Sequence, residues 1–352
     1  MFFDLEAFDD HESVSVVSDR HTGLRAIIAI HNTTLGPAHG GVRYWRYPTD
    51  EEAITDALRL SRGMTYKNVM AGLPFGGGKS VILAGDRPKE PALLRAFGRA
   101  VQGLAGRYIA AEDVGITPWD IREMSEETPH VCGLPTTTVT ANQADPSPYT
   151  ALGVLLSMQA GWSRLTGDSG LAGVHVRLQG AGGVGSHLAR ALVAAGARVT
   201  VSDIDPERSS RLSSELGIET MDPAGVYEGD VDIFAPCALG GVLNPVSIGQ
   251  LQARLVCGGA NNQLANPADG QALRKKGILY LPDFLINAGG VIHTTSQLLS
   301  RTRDEVLSQI SMIPARLDDV LDRADRDGTD TQASAEAEAR DLLTSAREDV
   351  SV

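Results

Sequence analysis

The sequence predicts an α/β fold of two domains. The chain has 352 residues, of which 42% are hydrophobic and 21% charged, so it can bury two separate cores. Short runs rich in Val and Ile, typical of strands, alternate with longer segments that repeat apolar residues every three or four positions. A polar, proline-bearing stretch at 134–148 interrupts this alternation. We therefore expect domains at 1–145 and 146–325, with 326–352 as a C-terminal helix or a tail that could return to the first domain.

The first domain is predicted to begin with a strand and then alternate. Its longest helix carries an apolar face at Ile54, Ala57, Leu58 and Met64 and begins with acidic residues, which favour the positive end of a helix. The predicted elements are strand 25–31, helix 51–68, strand 79–85, helix 91–106 and strand 107–113.

The second domain repeats the alternation more regularly, which predicts a parallel sheet. After Gly290 the chain becomes mostly helical, and Pro314 should kink or split that helical region. The predicted elements are helix 148–165, strand 174–178, helix 183–196, strand 198–203, helix 206–217 and strands 231–237, 254–259 and 277–283.

Composition excludes several function classes. The net charge is −13 and there is no basic run, which argues against a nucleic-acid partner. No apolar run reaches the roughly 18 residues of a membrane span, and the N-terminus is acidic, so we expect a soluble, cytoplasmic protein. The three cysteines have no metal-type spacing, which predicts neither a metal site nor a disulfide framework. A small-molecule ligand is the remaining expectation.

The segment 180-GAGGVG-185 matches the dinucleotide-binding fingerprint and lies between a predicted strand and a predicted helix. Gly180 would form the tight turn, Gly182 would admit the pyrophosphate, and Gly185 would let the helix pack on the strand. Free N–H groups at the helix start, at Gly183 and Val184, would face the phosphates. This context predicts a Rossmann domain; the alternative is a glycine turn in an α/β domain that binds no nucleotide.

An acidic residue completes the fingerprint. Asp203 ends the next predicted strand, where it would accept hydrogen bonds from the ribose hydroxyls of NAD and repel the 2′-phosphate of NADP. We therefore expect NAD as the cofactor. Two alternatives remain: Asp203 is only a helix-start residue, or Asp205 takes its role.

Charged residues also stand out in the first domain. Lys67 ends a predicted helix, Lys79 follows three glycines at the start of a predicted strand, and Asp113 follows another strand. The glycines suggest close approach of the backbone to a small anion, although the phosphate-loop spacing is absent because position 73 is Leu73. Two lysines in a dry cleft would disfavour each other's charge, making one a base, while the other holds a carboxylate and the aspartate receives an amine. The alternative is that both lysines are solvated.

Eight segments in order carry a family resemblance. The chain resembles the leucine, phenylalanine and valine dehydrogenase group of the amino acid dehydrogenase superfamily (Glu/Leu/Phe/Val dehydrogenases). The segments are 36-GPAHGGVR-43, 63-GMTYKN-68, 72-GLPFGGGKSVI-82, 107-RYIAAEDVG-115, 146-PSPYTALGV-154, 236-PCALGGVLN-244, 258-GGANNQL-264 and 286-INAGGVI-292.

The resemblance implies an N-terminal substrate and oligomerisation domain, a C-terminal NAD domain and a cleft between them. It implies that Lys67 holds the substrate carboxylate together with the backbone at Gly40 and Gly41. Lys79 would be the general base that activates water, and Asp113 would bind the amino group.

The resemblance also implies the rest of the reaction. Thr150 and Ala238 would contact the nicotinamide nucleotide, Asn261 would border the nicotinamide, and Asn262 the substrate. Hydride transfer to NAD and hydrolysis of the imine would yield a 2-oxo acid and ammonia, in a homo-oligomeric enzyme.

The sequence departs from the group where the substrate side chain is expected. His39 and Thr294 replace apolar residues of leucine-type members, whereas Ala111 and Val291 stay small or apolar. Since buried polar groups reject a partner that cannot hydrogen-bond, we hypothesise a pocket for branched-chain or aromatic substrates that also accepts more polar ones. In the alternative, His39 and Thr294 satisfy each other or the backbone.

Two other functions stay open at this stage. In a glutamate-type dehydrogenase a second cation would bind the side-chain carboxylate, but His39 would be only partly charged at neutral pH. A catalytically inactive NAD-binding regulator would not need the intact set of Lys67, Lys79 and Asp113.

Overall fold

The computed structural model describes residues 2–85, 88–134 and 145–350. The chain forms two compact units. Most of the predicted linker lies outside the described residues. Unit 1 contains Met1–Asp145, Gln297–Ser300 and Ala339–Val352, and unit 2 contains Pro146–Ser296 and Arg301–Glu338.

Unit 1 is built on a five-stranded mixed sheet. The strand order is β1-β2-β4-β3-β5, in which β2 pairs antiparallel with β1 and β4, and β3 pairs parallel with β4 and β5. Sequence reasoning missed β1, β3 and α3. The elements are β1 (Ser13–Asp19), β2 (Leu24–Asn32), β3 (Ala38–Trp45), α1 (Asp50–Met70), β4 (Gly76–Leu83), α2 (Pro91–Gln102), β5 (Tyr108–Glu112) and α3 (Pro118–Ser125).

Helix α1 covers one face of this sheet. Thr49 caps its N-terminus by accepting the Glu52 N–H, and three acidic residues occupy its first turn, where the helix dipole favours them. Its buried Ala57 and Leu58 pack with Ile27 of β2 and other apolar side chains. Helices α2 and α3 supply much of the core on the opposite face.

The first three residues of β4 are glycines. The predicted strand started at Lys79, but β4 begins at Gly76, and all three glycines are buried inside the sheet. A Cβ on Gly77 would lie 2.1 Å from the backbone nitrogen of Thr65 in α1, and one on Gly78 would lie 2.7 Å from the Tyr108 ring. The missing side chains therefore allow a helix and an aromatic ring to pack against the strand.

Unit 2 contains a parallel sheet, as predicted, but it has six strands rather than the five expected, because the short strand Glu219–Thr220 was missed. Its strand order is β11-β10-β9-β6-β7-β8. The strands are β6 (His175–Gln179), β7 (Arg198–Ser202), β8 (Glu219–Thr220), β9 (Asp230–Pro236), β10 (Gln252–Val256) and β11 (Leu279–Tyr280).

Helices precede, connect and follow these strands along the chain. The predicted split at Pro314 is confirmed, because α11 ends at Ser311 and the proline occupies the first turn of α12. The helices are α4 (Ser147–Thr166), α5 (Gly183–Ala194), α6 (Pro206–Leu216), α7 (Pro245–Gln250), α8 (Ala268–Lys275), α9 (Asp283–Ile286), α10 (Gly289–Thr295), α11 (Arg303–Ser311), α12 (Ile313–Asp327) and α13 (Thr331–Val350).

The last helix, α13, begins in unit 2 and ends in unit 1. Within unit 1, Arg340 Nη1 donates to the Tyr66 hydroxyl at 3.3 Å and Arg347 Nε donates to Thr34 Oγ1 at 3.0 Å. The described part of the C-terminal segment is thus a helix rather than a loose tail.

Among the described residues, no helix has both the length and the apolar character that crossing a bilayer requires. The same residues include no cluster of three or more His, Cys, Asp or Glu side chains arranged to hold a metal ion.

Candidate active site

The register of β3, β4 and β5 places several candidate residues on one face of the unit 1 sheet. His39 of β3 pairs with Gly77 and Ile109, and Gly41 pairs with Ala111 of β5. Paired residues of neighbouring strands point to the same side of a sheet, and so do residues two apart along one strand. Lys79 therefore shares this face, which is the face that α1 covers.

The buried Lys79 and the half-buried Asp113 form an ion pair on this face. Lys79 Nζ lies 2.8 Å from Asp113 Oδ2, and Lys79 is 6% exposed. A Cβ on Gly41 would lie 2.7 Å from the Asp113 Cβ and 3.1 Å from Lys79 Nζ. The ion pair therefore occupies space that a side chain at position 41 would fill. Asp113 follows β5 as predicted, whereas Lys79 lies within β4 rather than at its start.

Two cations keep Asp113 ionised. Burial by itself raises the pKa of this carboxyl, but the charges of Lys79 and Arg43 outweigh that effect and lower it from 3.8 to about 2. Arg43 Nε donates to Asp113 Oδ2 at 3.0 Å. The aspartate is therefore an ionised acceptor for an ammonium group throughout the neutral range.

Lys67 lies in the last turn of α1 and is partly buried. It sits between two residues that contact β4: Thr65 packs on Gly77, and Asn68 Nδ2 donates to the Gly76 carbonyl at 2.6 Å. The hypothesis that Lys67 disfavours the charge on Lys79 stays a prediction.

His39 is a buried imidazole without a hydrogen-bond partner in the described part of the chain. It is 2% exposed, and neither Nδ1 nor Nε2 is bonded. Burial, and secondarily the charge of Lys79, lowers its pKa to about 4. The expectation that His39 is partly charged at neutral pH is therefore wrong. The alternative in which a neighbour satisfies its ring is not found among the described residues.

The other residues that were predicted to contact the substrate side chain belong to two different units. Ala111 belongs to β5 of unit 1 and is 8% exposed. Val291 and Thr294 belong to α10 of unit 2, where the Thr294 hydroxyl donates to the Val291 carbonyl at 3.3 Å.

The glycine fingerprint of unit 2 has the geometry of a phosphate-binding turn. Gly180 has φ +105°, and a Cβ on Gly185 would lie 2.0 Å from the Gly180 carbonyl oxygen. A Cβ on Gly182, the N-cap of α5, would meet no atom within 4 Å. Within the described ranges no side chain caps this helix, so the N–H groups of Gly183 and Val184 are available to an anion.

Asp203 is tied to this glycine turn. Its Oδ2 accepts the Ala181 N–H at 2.7 Å, and its Oδ1 accepts the Asp205 N–H at 2.8 Å. Asp205 is instead the N-cap of α6, with Oδ1 accepting the Glu207 N–H at 3.0 Å. The helix-start role therefore belongs to Asp205. These residues fit a bound dinucleotide, because the turn leaves open space and free N–H groups beside a carboxylate.

The remaining residues predicted to contact the cofactor or the substrate lie elsewhere in unit 2. Thr150 is buried in α4, where its hydroxyl donates to the Pro146 carbonyl at 3.1 Å. Asn261 Oδ1 accepts from Asn287 Nδ2 at 2.9 Å. Ala238 and Asn262 are exposed, and Asn262 has φ +52°.

Sequence reasoning missed Arg43. The arginine ends 36-GPAHGGVR-43 and lies two residues after Gly41, so recognising β3 as a strand would have placed both on the same face. Its bond to Asp113 was not visible in the sequence because 70 positions separate the two residues.

Comparison with known proteins identifies the family. Residues 11–130 match the family described as Glu/Leu/Phe/Val dehydrogenase, dimerisation domain, and residues 207–348 match Glutamate/Leucine/Phenylalanine/Valine dehydrogenase. The chain belongs to this family. The dehydrogenase is thus an oxidoreductase that deaminates an amino acid with a pyridine nucleotide, and the predicted resemblance and fold class are confirmed.

Individual relatives agree with this assignment over nearly the whole chain. The dehydrogenase is 45% identical over 339 residues to a leucine dehydrogenase of Geobacillus stearothermophilus, covering 96% of this chain and 92% of the relative. The crystal structure of L-tryptophan dehydrogenase from Nostoc punctiforme matches with a TM-score of 0.84 and 41% identity, covering 96% and 97% of the two chains. The main interpretation therefore holds over a glutamate-type enzyme or an inactive regulator.

Proposed function

We propose that the dehydrogenase oxidises an L-amino acid with a branched-chain or aromatic side chain to the 2-oxo acid and ammonia, using NAD. The ion pair of Lys79 and Asp113 carries this proposal, because it places the proposed base and an ionised amine acceptor 2.8 Å apart. Relatives that carry the names leucine and L-tryptophan dehydrogenase support an apolar or aromatic substrate.

Each residue of unit 1 has a distinct role in this proposal. Lys67 and the backbone at Gly40 and Gly41 hold the substrate carboxylate. Asp113 accepts hydrogen bonds from the substrate ammonium, takes up its proton and releases that proton to solvent. Lys79 removes a proton from the water that attacks the imine, and this proton then leaves through the Asp113 carboxylate, which is ionised again by that step.

Unit 2 supplies the nucleotide site. The turn at 180–185 and the first N–H groups of α5 bind the pyrophosphate, and Asp203 binds the adenosine ribose. We assign Thr150, Ala238 and Asn261 to the nicotinamide half, and Asn262 to the border with the substrate. When bound, NAD supplies the hydride acceptor.

We also propose that the dehydrogenase is a homo-oligomer. The family description that matches most of unit 1 includes the term dimerisation domain, which supports an interface through this unit.

An assay of NADH formation with a panel of L-amino acids tests the proposed function. We expect an increase in absorbance at the NADH band with leucine, valine, phenylalanine or tryptophan. Turnover with glutamate alone would instead favour the glutamate-type reaction, and no turnover with any amino acid would refute the proposal.

Asp203→Asn should weaken the preference for NAD. We expect the ratio of kcat/KM with NAD to kcat/KM with NADP to fall by about tenfold, because the amide no longer repels a 2′-phosphate. Asp205→Asn is the matched control, since Asp205 caps α6, and should leave the ratio nearly unchanged. A wild-type enzyme that uses both nucleotides equally would contradict the proposed role.

His39→Leu should shift substrate choice toward apolar side chains. A neutral imidazole can donate one hydrogen bond and accept another, so we propose that it binds a polar group on the substrate side chain. The pairs threonine and valine, and tyrosine and phenylalanine, measure this effect because the polar member of each pair carries a hydroxyl. We expect the polar-to-apolar ratio of kcat/KM to fall by about tenfold or more in the variant.

The wild-type ratios provide the decisive comparison. A wild-type enzyme that strongly prefers leucine and valine to every polar or aromatic amino acid, with ratios unaltered by His39→Leu, would exclude His39 from side-chain recognition.

A further inference from the structure

We propose that Arg43 is a positioning residue that holds the Asp113 carboxylate so that its Oδ1 faces the substrate ammonium. This inference rests on the proposed function, in which Asp113 is the amine acceptor. Its basis is a chain of hydrogen bonds that joins strand β3, the end of β5 and helix α1.

Both cations beside Asp113 donate to the same carboxylate oxygen. Lys79 Nζ lies 2.8 Å and Arg43 Nε 3.0 Å from Oδ2. No side chain in the described ranges donates to Oδ1. The Val114 N–H also hydrogen-bonds to this carboxyl. Two side-chain donors on one oxygen fix the rotation of the carboxylate, and Oδ1 can still accept the substrate ammonium because each carboxylate oxygen has two lone pairs.

Arg43 is itself held by a second carboxylate, that of Asp56. Its Nη1 donates to Asp56 Oδ2 at 2.9 Å, and the Tyr47 hydroxyl donates to the same oxygen at 2.5 Å. Asp56 belongs to α1, so the guanidinium bridges a helix and the end of strand β5. Burial alone lowers the pKa of Arg43, but the charges of Asp113 and Asp56 raise it overall.

This bridge also relates the site to Lys67. Asp56 and Lys67 are eleven residues apart on α1, about three turns, so they lie on nearly the same side of the helix. Fixing Asp56 against Arg43 therefore fixes the rotation of the helix that carries the proposed carboxylate holder.

A lysine cannot replace Arg43 fully. The fork of the guanidinium places Nε on Asp113 and Nη1 on Asp56 at once, whereas one ammonium on a flexible stem would have to serve both carboxylates from a single point. The geometry thus requires the planar group as well as its charge.

The test compares Arg43→Gln, Arg43→Lys and Arg43→Ala with the wild-type enzyme, using the best L-amino acid of the panel and NAD. We expect Arg43→Gln to lower kcat/KM for the amino acid by about 100-fold, through misplacement of the amine acceptor. KM for NAD should not change.

Two rescue experiments complete the test. Arg43→Lys should recover part of the lost activity. Millimolar guanidinium should raise the activity of Arg43→Ala about tenfold, whereas sodium chloride at the same concentration should not.

Arg25→Gln is the matched control, since Arg25 and Asp50 form an exposed pair in the same unit, with Arg25 Nη2 2.7 Å from Asp50 Oδ1. It should leave all kinetic constants unchanged. Asp56→Asn provides a second test if Arg43 variants do not fold, because it leaves Arg43 in place and removes its outer anchor; we expect a loss of about tenfold in kcat/KM.

The outcomes separate the two proposals. A wild-type enzyme that reduces NAD with no amino acid refutes the proposed function. An active wild type, with Arg43→Gln and Asp56→Asn equally active, overturns the role of Arg43 alone. Loss of activity without rescue by either guanidinium or lysine would also overturn it, because it would indicate a purely structural contribution.

Discussion

Replacing Lys79 with alanine is expected to lower kcat by about 10³-fold while the affinity for NAD stays unchanged. General base catalysis contributes about 10²–10⁴-fold to enzymatic rates, and the variant has no side chain that could accept a proton from water at this position. Lys79 belongs to unit 1, whereas the glycine turn and Asp203 belong to unit 2. Steady-state kinetics with the best amino acid, together with a direct NAD titration, measure the two quantities.

Lys89→Ala is a suitable control for this experiment. Lys89 also forms a lysine–aspartate pair in unit 1, with Nζ 2.6 Å from Asp120 Oδ2, but it lies outside the proposed site. The control should retain nearly full turnover. Unchanged turnover of Lys79→Ala would refute the role of Lys79 as the base.

Asp113→Asn is expected to reduce kcat/KM for the amino acid by about 10²–10³-fold. The amide keeps the size of the side chain but cannot take up a proton from the substrate, and one of its two polar atoms is a donor. It also removes the negative charge between two cations, Lys79 and Arg43, so the melting temperature should fall as well. Activity assays and thermal unfolding should therefore be measured on the same preparation.

The matched control here is Asp120→Asn, which removes the carboxylate from the pair with Lys89. It tests whether loss of a comparable ion pair in the same unit alters catalysis. Activity of Asp113→Asn within about tenfold of the wild type would contradict its role as amine acceptor.

Much of the fold could be predicted because local patterns determined it. The regular alternation in unit 2 indicated its parallel sheet, and Pro314 indicated the boundary between α11 and α12. Strand β3 was missed because its glycines at 40 and 41 dilute the apolar pattern. The mixed pairing of unit 1 depends on contacts between distant segments, which periodicity does not report.

The candidate site was predictable in its residue types but not in its contacts. Lys79 and Asp113 were expected in one place, and the structure brings them together. The sequence hypothesis relied on a neighbouring lysine, whereas the observed partner of Lys79 is a carboxylate shared with Arg43. The low pKa of His39 follows from burial, which no short segment reveals.

The glycines of β4 limit how the enzyme can be redesigned for other substrates. A methyl group at position 77 would push on the backbone of Thr65, two residues before Lys67, so even a conservative exchange there would displace the helix that carries this lysine. Libraries that aim at new specificity should leave positions 76–78 untouched and vary Ala111 or His39, which we propose contact the substrate side chain.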